Sequence, residues 1–431
     1  MRRRVGQRAV ENTARELDET ILHNILATDK LDFKKTALIG FGFMAVSLAW
    51  AMYSANVPLL LEKHIDNSVL IGLIMSIDNV LAVVMQPVIG ALSDKTHTKR
   101  GRRLPYILIG MPISAVLFSF IPLSTSLALL IGVIILYNLS MSVWRSPVVA
   151  LMPDVTPSKL RSQANGVINL MGGIGTIVAL LGGGVLINLT DGIQLPFVLV
   201  TVVTLAAWAV LFFFVREPQQ PLTADAEDGT ASAEASRETR GERISLSLLL
   251  LAIFFWFLGF NAIETFFTLY ATNSLGIEQG NASISLAFFA VSFGVFAVPA
   301  GFLGTRFGRK RCITVGLIMC VLLFAAMFFI TNIAVIRVLM VAGGFFWACV
   351  NTNSLPMVVE IGHTSHIGRY TGYYYFFSQA ASIVAPSLFG CIRELTGSYG
   401  TLFLFAGACC LLALLCIVFV KHGEAPNAAA A

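Results

Sequence analysis

The sequence predicts an all-α membrane protein in which 12 transmembrane helices form two pseudo-symmetric six-helix bundles. Three observations predict this fold. Of the 431 residues, 56% are hydrophobic and only 12% are charged, whereas soluble domains carry roughly 25% charged residues. The hydrophobic residues fall into runs of membrane-spanning length. A charged loop also recurs at the corresponding place in each half of the chain, which indicates an internal duplication.

Twelve apolar runs are each long enough to cross a bilayer, which takes about 20 helical residues. The first half contains 36–61, 69–93, 104–123, 127–152, 163–188 and 195–215, and the second half contains 246–272, 283–304, 311–330, 334–361, 369–394 and 399–420. Each half therefore predicts one six-helix bundle.

The segments outside these runs are polar. Residues 1–35 are basic and predict a cytoplasmic tail, either an amphipathic helix lying on the membrane or a partly unstructured segment. Residues 216–245 are rich in Ala, Glu, Thr, Ser and Asp and predict a solvated cytoplasmic linker. The chain is thus divided into a bundle over 36–215, a bundle over 246–420 and a short cytoplasmic tail over 421–431.

Lysine and arginine side chains indicate the orientation in the membrane. They concentrate in the N-terminal tail and the even-numbered loops, while the odd-numbered loops and adjoining helix ends hold little beyond Lys63, Arg337 and Arg393. Positively charged loops stay on the cytoplasmic side. We therefore expect a multi-pass protein of the plasma membrane with both termini in the cytoplasm.

Composition and motifs argue against several function classes. The net charge of +5 is small and the sequence carries no nucleic-acid motif, so nucleic acid is not an expected partner. The sequence also lacks the patterns of a catalytic triad, a metal-ligand cluster or a nucleotide loop, so we expect neither an enzyme nor a bound cofactor or metal. The expected partners are the lipid bilayer, a small-molecule substrate and a coupling ion, and we expect a monomer.

The most distinctive motif is the loop from Gly90 to Arg103, which places five cations and the carboxylate of Asp94 between two spans. A weaker copy runs from Gly301 to Arg311, about 210 residues later. Other residues of the first half also recur in the second half, at nearly the same distance along the sequence. A separation that repeats along the chain favours a transporter built by duplication.

This loop resembles that of the glycoside–pentoside–hexuronide:cation symporters, a family with the major facilitator fold. Six residues separate Asp94 from Gly101, as in that family. The second-half copy instead has the short gap from Thr305 to Gly308 that is typical of the superfamily at large.

The neighbouring residues are similar to the plant-type sucrose–proton symporter branch of the family. Gln86 and Pro87 precede the loop as they do in that branch, and the run from Pro147 to Asp154 at the end of span 4 also matches it. The resemblance implies alternating access by two six-helix bundles, a sugar or glycoside as substrate and a cation as coupling ion.

Three positions depart from the family pattern. The sodium-coupled members have acids in span 2 where this sequence has Gln86 and Ala82, and the sucrose branch has an acid in span 4 where this sequence has Asn138. We therefore expect the coupling group to lie elsewhere and the coupling ion to be a proton.

Three ionisable residues lie inside predicted spans, where an unpaired charge costs several kcal/mol. Asp78 and Glu264 are candidate proton carriers, since a carboxylate in a poorly solvated cavity can exchange a proton near neutral pH. The alternatives are a structural hydrogen-bonding role or a gate. Arg145 is a candidate partner for substrate or carboxylate, and the alternative is a strut that bonds carbonyls freed by Pro147. On straight helices Arg145 lies about 13 Å deeper than Asp78, so their direct pairing is only marginally within reach.

Sugars need hydroxyl partners and flat apolar faces, so we expect amides and aromatic side chains around the substrate. For any single aromatic residue, packing or lipid contact is the alternative. The candidate substrate-binding residues are Trp50, Tyr53, Asn56, Asp78, Asn79, Asn138, Arg145, Asn261, Glu264, Trp347, Asn351, Tyr374 and Gln379.

The charged cytoplasmic loops are the candidate gate. We expect Asp94 to bond arginines of its own loop, and the pairs Asp154–Arg161 and Glu360–Arg369 to complete a latch that breaks when the inside opens. The candidate gating residues are Asp94, Arg100, Arg102, Arg103, Asp154, Arg161, Arg306, Arg309, Glu360 and Arg369.

The function that these features predict is proton-coupled symport of a sugar or glycoside by alternating access. The alternatives are an exporter of drugs or metabolites and a facilitative carrier without coupling, because the fold does not set the direction or the driving force.

Overall fold

The computed structural model describes residues 31–157, 160–217, 239–361 and 367–423. Within this part of the chain, 12 helices are long and apolar enough to cross a membrane, which confirms the predicted spans. The helices are α1 (Phe33–Glu62), α2 (Ser68–Lys95), α3 (Leu104–Phe120), α4 (Leu127–Val155), α5 (Arg161–Ile177 and Gly183–Thr190, joined by the π-helical turn Val178–Gly182), α6 (Gln194–Phe214), α7 (Arg240–Asn273), α8 (Gln279–Phe307), α9 (Arg309–Phe329), α10 (Ile333–Ile361), α11 (Ile367–Thr396) and α12 (Thr401–Phe419).

Polar residues mark where several helices begin. Asn67 accepts hydrogen bonds from the backbone N–H groups of Val69 and Leu70 at the start of α2. Thr239 and Glu242 form a reciprocal capping box at the start of α7. This capping box explains why α7 begins at Arg240 rather than at residue 246, because hydropathy does not register a polar first turn.

The two halves of the chain pack alike, as the predicted duplication requires. In the first half α1 packs on α5 and α2 on α4, and in the second half α7 packs on α11 and α8 on α10. The contacts between halves are also paired, with α2 against α11 and α5 against α8. The structure is therefore two pseudo-symmetric bundles that meet along these two crossings and along a contact between α1 and α7.

Glycine lets the backbones approach closely at both crossings. A Cβ atom on Gly72 of α2 would overlap the Pro386 carbonyl of α11, and one on Gly184 of α5 would overlap the Gly280 carbonyl of α8. Small residues at such contacts allow helices in a membrane to pack and slide against each other.

The bundle has two ends that differ in their connections. The basic-loop end carries residues 96–103, 156–157, Leu160 and Gly308, and the short-loop end carries the remaining described short connections, such as residues 63–67 and 397–400. The predicted tail structure over residues 1–30, most of the linker (218–238) and residues 424–431 lie outside the described residues.

A cavity of about 1330 Å³ lies between the two halves. Its wall extends to Asn165 and Pro356, which lie near the basic-loop ends of α5 and α10. Hydrogen bonds link the two halves from the level of Trp50 to the short-loop end, such as Gln279 to Asn56 and Tyr399 to Glu62. The conformation is thus closed by polar contacts at the short-loop end and extends its cavity toward the basic-loop end.

Candidate functional site

Four helices bring the three intramembrane charges together around one indole ring. Trp50 of α1 donates its Nε1–H to Glu264 Oε1 of α7 at 2.9 Å. The Arg145 guanidinium of α4 lies 5.0 Å from the centroid of the Trp50 ring, within the range of a cation–π contact. Asp78 of α2 lies within electrostatic range of both Arg145 and Glu264. The three residues therefore form one charge cluster, called here the acid–arginine cluster (Asp78, Arg145, Glu264).

The Asp78 carboxylate is held by its own helix. Its Oδ1 accepts the backbone N–H of Asn79 at 2.6 Å and the Asn79 side-chain amide at 2.9 Å. Both residues are buried. Asn79 therefore orients the carboxylate, and Asp78 itself lines the pocket beside Trp50.

Asp78 and Arg145 line one small pocket of about 10 Å³ inside the first half. Tyr53 and Asn138 line the same pocket, and Asn138 Nδ2 donates to the Tyr53 hydroxyl at 3.3 Å. This volume is near the lower limit for one water molecule. These predicted substrate residues thus surround a space that suits a water or a proton rather than a sugar.

The large cavity collects the predicted residues of the second half. Asn261, Glu264, Trp347, Asn351, Tyr374 and Gln379 line its wall. Asn165 and Asn169 of α5 join them from the first half. In the described wall Glu264 is the one acid, and Lys, Arg and His are absent from it. The cavity thus joins amides and a carboxylate to a mostly apolar surface.

Aromatic rings build part of this apolar surface. Phe260 and Trp347 stack with their centroids 4.4 Å apart and an interplanar angle of 9°. Phe257 meets the edge of Trp347 at 5.8 Å. The phenylalanines were missed as candidates because, in an apolar run, a cavity-facing phenylalanine looks like a lipid-facing one.

Asn56 has a different position from the one expected. It is buried and does not line either cavity among the described residues. Its Oδ1 accepts hydrogen bonds from Gln279 at 3.0 Å and Ser283 at 3.3 Å, both on α8. Asn56 therefore connects the two halves between the large cavity and the short-loop end.

A polar cluster at the short-loop end, called here the short-loop gate, joins the halves and was not predicted. Glu62 accepts hydrogen bonds from Asn273 at 2.8 Å and from the Tyr399 hydroxyl at 2.9 Å. Glu394 accepts the backbone N–H of Ser68 at 2.7 Å, so an acid of one half caps the first turn of α2 in the other. Each partner is hundreds of residues away in sequence, and a local pattern does not reveal such pairs.

The first charged loop forms a compact ion-pair cluster within its own half. Arg103 is buried and binds both Asp94 and Asp154, and Arg102 donates to Asp154 at 2.6 Å and 3.0 Å. Burial opposes the charge of Arg102, but its hydrogen bond to Asp154 and the nearby carboxylates raise its pKa above the usual value. The predicted bonding of Asp94 to arginines of its own loop agrees with this geometry.

The structure pairs Asp154 with Arg102 and Arg103 rather than with Arg161. The pair Asp154–Arg161 was expected for a state closed at the basic-loop end, and it stays a prediction for that state. Arg102 and Arg103 reach Asp154 because the start of α3 lies against the end of α4. Arg161 instead donates to the carbonyls of Thr156 and Pro153 and closes the turn before α5.

The linker also takes part in this cluster through Glu217. Glu217 is buried, and its Oε2 accepts the backbone N–H groups of Arg103 at 2.8 Å and Leu104 at 3.0 Å. It therefore caps the N-terminus of α3, where a negative charge is favoured. The linker that was predicted to be solvated is thus anchored near its start, where Glu217 binds the first turn of α3.

The second charged loop repeats this arrangement in weaker form. Arg309 pairs with Glu360 at 3.4 Å. The pair Glu360–Arg369 was expected for a state closed at the basic-loop end, and it stays a prediction for that state. Arg369 donates to the Tyr373 hydroxyl one turn further along α11 at 2.8 Å. The other candidate gating cations lie over rings, Arg100 on Phe212 at 4.1 Å and Arg306 on Phe307 at 5.4 Å.

Metal binding is another role that a buried charge cluster can have. In the described ranges no group of three or more His, Cys, Asp and Glu side chains has the arrangement of a metal site. The side chains of the acid–arginine cluster can transfer a proton and form hydrogen bonds.

Comparison with known proteins identifies a family. The family model of the Major Facilitator Superfamily matches residues 39–293 and 249–431. The chain is 27% identical to the hexuronate transporter of Bacillus subtilis (strain 168) over 258 residues, which cover 53% of this chain and 58% of that protein. It is 25% identical to multidrug resistance protein MdtG of Salmonella arizonae, with coverage of 83% and 88%, and 24% identical to the class H tetracycline resistance protein of Pasteurella multocida, with coverage of 86% and 92%.

Solved structures share the fold. A bacterial homologue of the human lysosomal transporter Spinster, in an inward-facing and occupied conformation, matches with a TM-score of 0.68 at 15% identity, covering 91% of this chain and 95% of that chain. The nucleoside transporter NupG matches with a TM-score of 0.66 at 16% identity, covering 90% and 100%.

Proposed function

The chain belongs to the Major Facilitator Superfamily, and on that premise we propose that it is a proton-coupled secondary transporter that carries a sugar or glycoside by alternating access. Such a protein moves a small molecule across the bilayer and is not expected to need a cofactor. Within the superfamily we propose a place beside the sucrose–proton symporter-like branch of the glycoside–pentoside–hexuronide:cation symporters, on the strength of the loop from Asp94 to Gly101.

The acid–arginine cluster is the observation that carries proton coupling. It contains two carboxylates and one guanidinium, so its formal charge is −1 when both acids are ionised. An uncompensated charge in the membrane interior is costly. Binding of one proton to Asp78 or Glu264 makes the cluster neutral, which favours moving the halves past each other in the loaded state. We assign the proton to these two acids as a pair.

The wall of the large cavity supports a neutral sugar or glycoside as the substrate. Asn165, Asn261, Asn351 and Gln379 offer hydroxyl partners, and the stacked pair of aromatic rings offers a flat apolar face. A hexuronate carries a carboxylate, which would meet Glu264 without a cation in the described wall. Like charges at close range are unfavourable, so a neutral glycoside fits this cavity better.

The conformation supports an inward-facing state. The positive-inside rule assigns the basic-loop end to the cytoplasm of a plasma-membrane protein, and the cavity extends toward that end. The short-loop gate then closes the outside. Outward opening requires the gate contacts to break and the halves to rock about the glycine crossings.

A drug or metabolite exporter is the second candidate. The size and mostly apolar wall of the cavity suit a larger amphipathic molecule, and two of the relatives are named as resistance proteins. The same acid–arginine cluster would then drive exchange of a proton for the exported molecule.

Reconstituted protein in liposomes separates these candidates. We expect labelled neutral glycosides to accumulate when an inward proton gradient is imposed and to equilibrate without accumulation when it is collapsed. Uptake with no response to the gradient would indicate an uncoupled carrier. Absence of glycoside uptake, together with gradient-driven movement of apolar cations or tetracycline, would favour the exporter.

A further inference from the structure

Trp50 stands at the boundary between the two cavities. Its ring lines the small pocket together with Asp78 and Arg145. Its Nε1–H bonds Glu264, which lines the large cavity. The indole thus hydrogen-bonds Glu264, lies against Arg145 and borders the small pocket that Asp78 also lines.

The same hydrogen bond joins the two halves of the protein. Trp50 lies on α1 and Glu264 on α7, which are corresponding helices of the duplicated bundles. The contact lies deeper in the bundle than the Asn56 contacts with α8 and the short-loop gate. A change at Glu264 therefore acts on the contact between the halves at the level of the substrate cavity.

We propose that Trp50 is the positioning residue that couples substrate binding at Glu264 to the protonation of the buried cluster, an inference that rests on the proposed function. An indole N–H is a donor only, and its bond to an ionised carboxylate is stronger than its bond to a neutral acid. A proton on Glu264, or a substrate hydroxyl that donates to Glu264, competes with that bond and frees the ring.

Movement of the ring has a consequence for the opposite side of the pocket. The Arg145 guanidinium loses its aromatic face when Trp50 turns, and Asp78, which lines the same small pocket, remains to compensate its charge. The groups that face Trp50 and Glu264 from the helices packed around them are Tyr53 of α1, Asp78 of α2, and Tyr137 and Arg145 of α4. A binding event in the large cavity thus changes, through the position of the Trp50 ring, which groups compensate the charge of Arg145.

Trp50→Phe tests this inference because it removes the donor and keeps an aromatic face for Arg145. Trp208→Phe is the matched control. Trp208 is also partly buried and donates its Nε1–H to the Leu108 carbonyl at 3.0 Å, but this bond lies within the first half and Trp208 lines neither described cavity. Both changes remove an indole donor, and they differ in whether the lost bond joins the two halves at Glu264.

Two transport modes are compared for each variant in liposomes, with labelled sucrose and labelled phenyl β-glucoside as probes. Exchange at equal internal and external concentration needs no proton gradient, whereas accumulation does. We expect the ratio of accumulation to exchange to fall about tenfold or more in Trp50→Phe, the scale of one lost hydrogen bond to a charged group, and to stay at the wild-type value in Trp208→Phe.

A dye-based measurement without substrate covers the case in which neither probe is carried. Dissipation of an imposed pH gradient, followed with pyranine inside the liposomes, should be at least several-fold faster in Trp50→Phe than in wild type or Trp208→Phe, because the freed Glu264 is open to the cavity. An unchanged ratio and an unchanged leak would overturn the inference. So would equal loss of exchange and accumulation with no added leak, which indicates a structural role.

Glu264→Gln keeps a carbonyl oxygen that accepts the indole bond but removes the titrating group. We expect it to exchange substrate and to lose accumulation. If wild-type protein itself exchanges probe but never responds to a pH gradient, the proposed proton coupling fails together with the inference. If wild-type protein couples and Trp50→Phe couples equally well, the inference alone fails.

Discussion

The hydrogen bond from Tyr399 to Glu62 offers a direct way to shift the protein between its two conformations. Tyr399 belongs to the second half, is 5% exposed and donates its hydroxyl to Glu62 of the first half at 2.9 Å. Tyr399→Phe removes this hydroxyl with little change of shape. The bond exists only while the short-loop end is closed, so we expect the variant to favour the state that is open at that end.

The size of the shift follows from the contacts of Glu62. A hydrogen bond to a charged group contributes about 1.5–3 kcal/mol net. Asn273 still donates to both oxygens of Glu62 after the change, so the lower value applies. A difference of about 1.5 kcal/mol changes the ratio of the two conformations about tenfold.

Spin labels on exposed loop residues at the short-loop end report this ratio. Thr125→Cys in the first half and Thr331→Cys in the second half give one distance across the gate, in a background without the exposed Cys391. The longer distance should gain population about tenfold in Tyr399→Phe. Tyr270→Phe is the control, since Tyr270 is buried at the same end and its hydroxyl makes no hydrogen bond in the described residues.

An unchanged distance distribution in Tyr399→Phe would refute the reasoning, because the gate bond would then contribute nothing to closure. A shift of equal size in Tyr270→Phe would also refute it, since loss of any buried hydroxyl would have the same effect. Burial raises the pKa of Tyr399 from 10.0 to about 12. Because the pKa of Tyr399 is raised, its hydroxyl makes its full contribution to gate closure below the ordinary tyrosine pKa of about 10. That contribution is lost only as the pH rises through about 12. We therefore expect the population shift of Tyr399→Phe to be the same between about pH 5 and 9.

The remaining predictions concern the first loop and a glycine crossing. Asp154→Asn should lower the free energy of unfolding by about 3 kcal/mol or more, because it leaves the buried Arg103 with a weakened partner; thermal unfolding in detergent should show a smaller loss for Asp94→Asn, whose carboxylate is 52% exposed. Asp94→Ala should slow transport strongly while substrate binding to the purified protein stays near wild type, because it weakens the bracing of the first bundle at the basic-loop end; equal loss of both would indicate a general loss of structure instead. Gly72→Ala should slow exchange because a Cβ meets the Pro386 carbonyl, whereas Gly132→Ala has open space around it and should transport normally; similar rates for the two variants would contradict a tight sliding contact at this crossing.

The sequence was sufficient for the membrane spans and for the charges that matter inside them. Hydropathy reads the lipid environment directly, so the twelve helices were predictable with small errors at polar ends such as Arg240. Asp78, Arg145 and Glu264 stood out because a charge in an apolar run is rare and costly. Their grouping was not derivable from linear depth. Depth on straight helices places Arg145 about 13 Å below Asp78, yet both line one small pocket.

Pairings between distant residues were beyond local patterns. Glu217 lies at the start of the predicted solvated linker, but it caps α3 through backbone groups more than a hundred positions away. Asp154 likewise pairs with Arg102 and Arg103, which lie in the loop before α3, rather than with the nearby Arg161. A carboxylate pairs with the cation that the fold brings closest, and sequence distance does not measure that proximity.

The two ends of the bundle are held together by different kinds of contact, and this difference bears on how the transporter switches. The ion pairs of Arg102, Arg103 and Arg309 each lie within one half, and they are intact in a conformation whose cavity extends to the basic-loop end. They therefore brace each bundle and need not break when that end opens. The bonds of Glu62 and Glu394 cross between the halves, and they must break when the short-loop end opens. Control of the conformational equilibrium is thus expected to lie mainly with these two acids, and closure of the basic-loop end requires contacts between the halves that differ from the ion pairs seen in each loop.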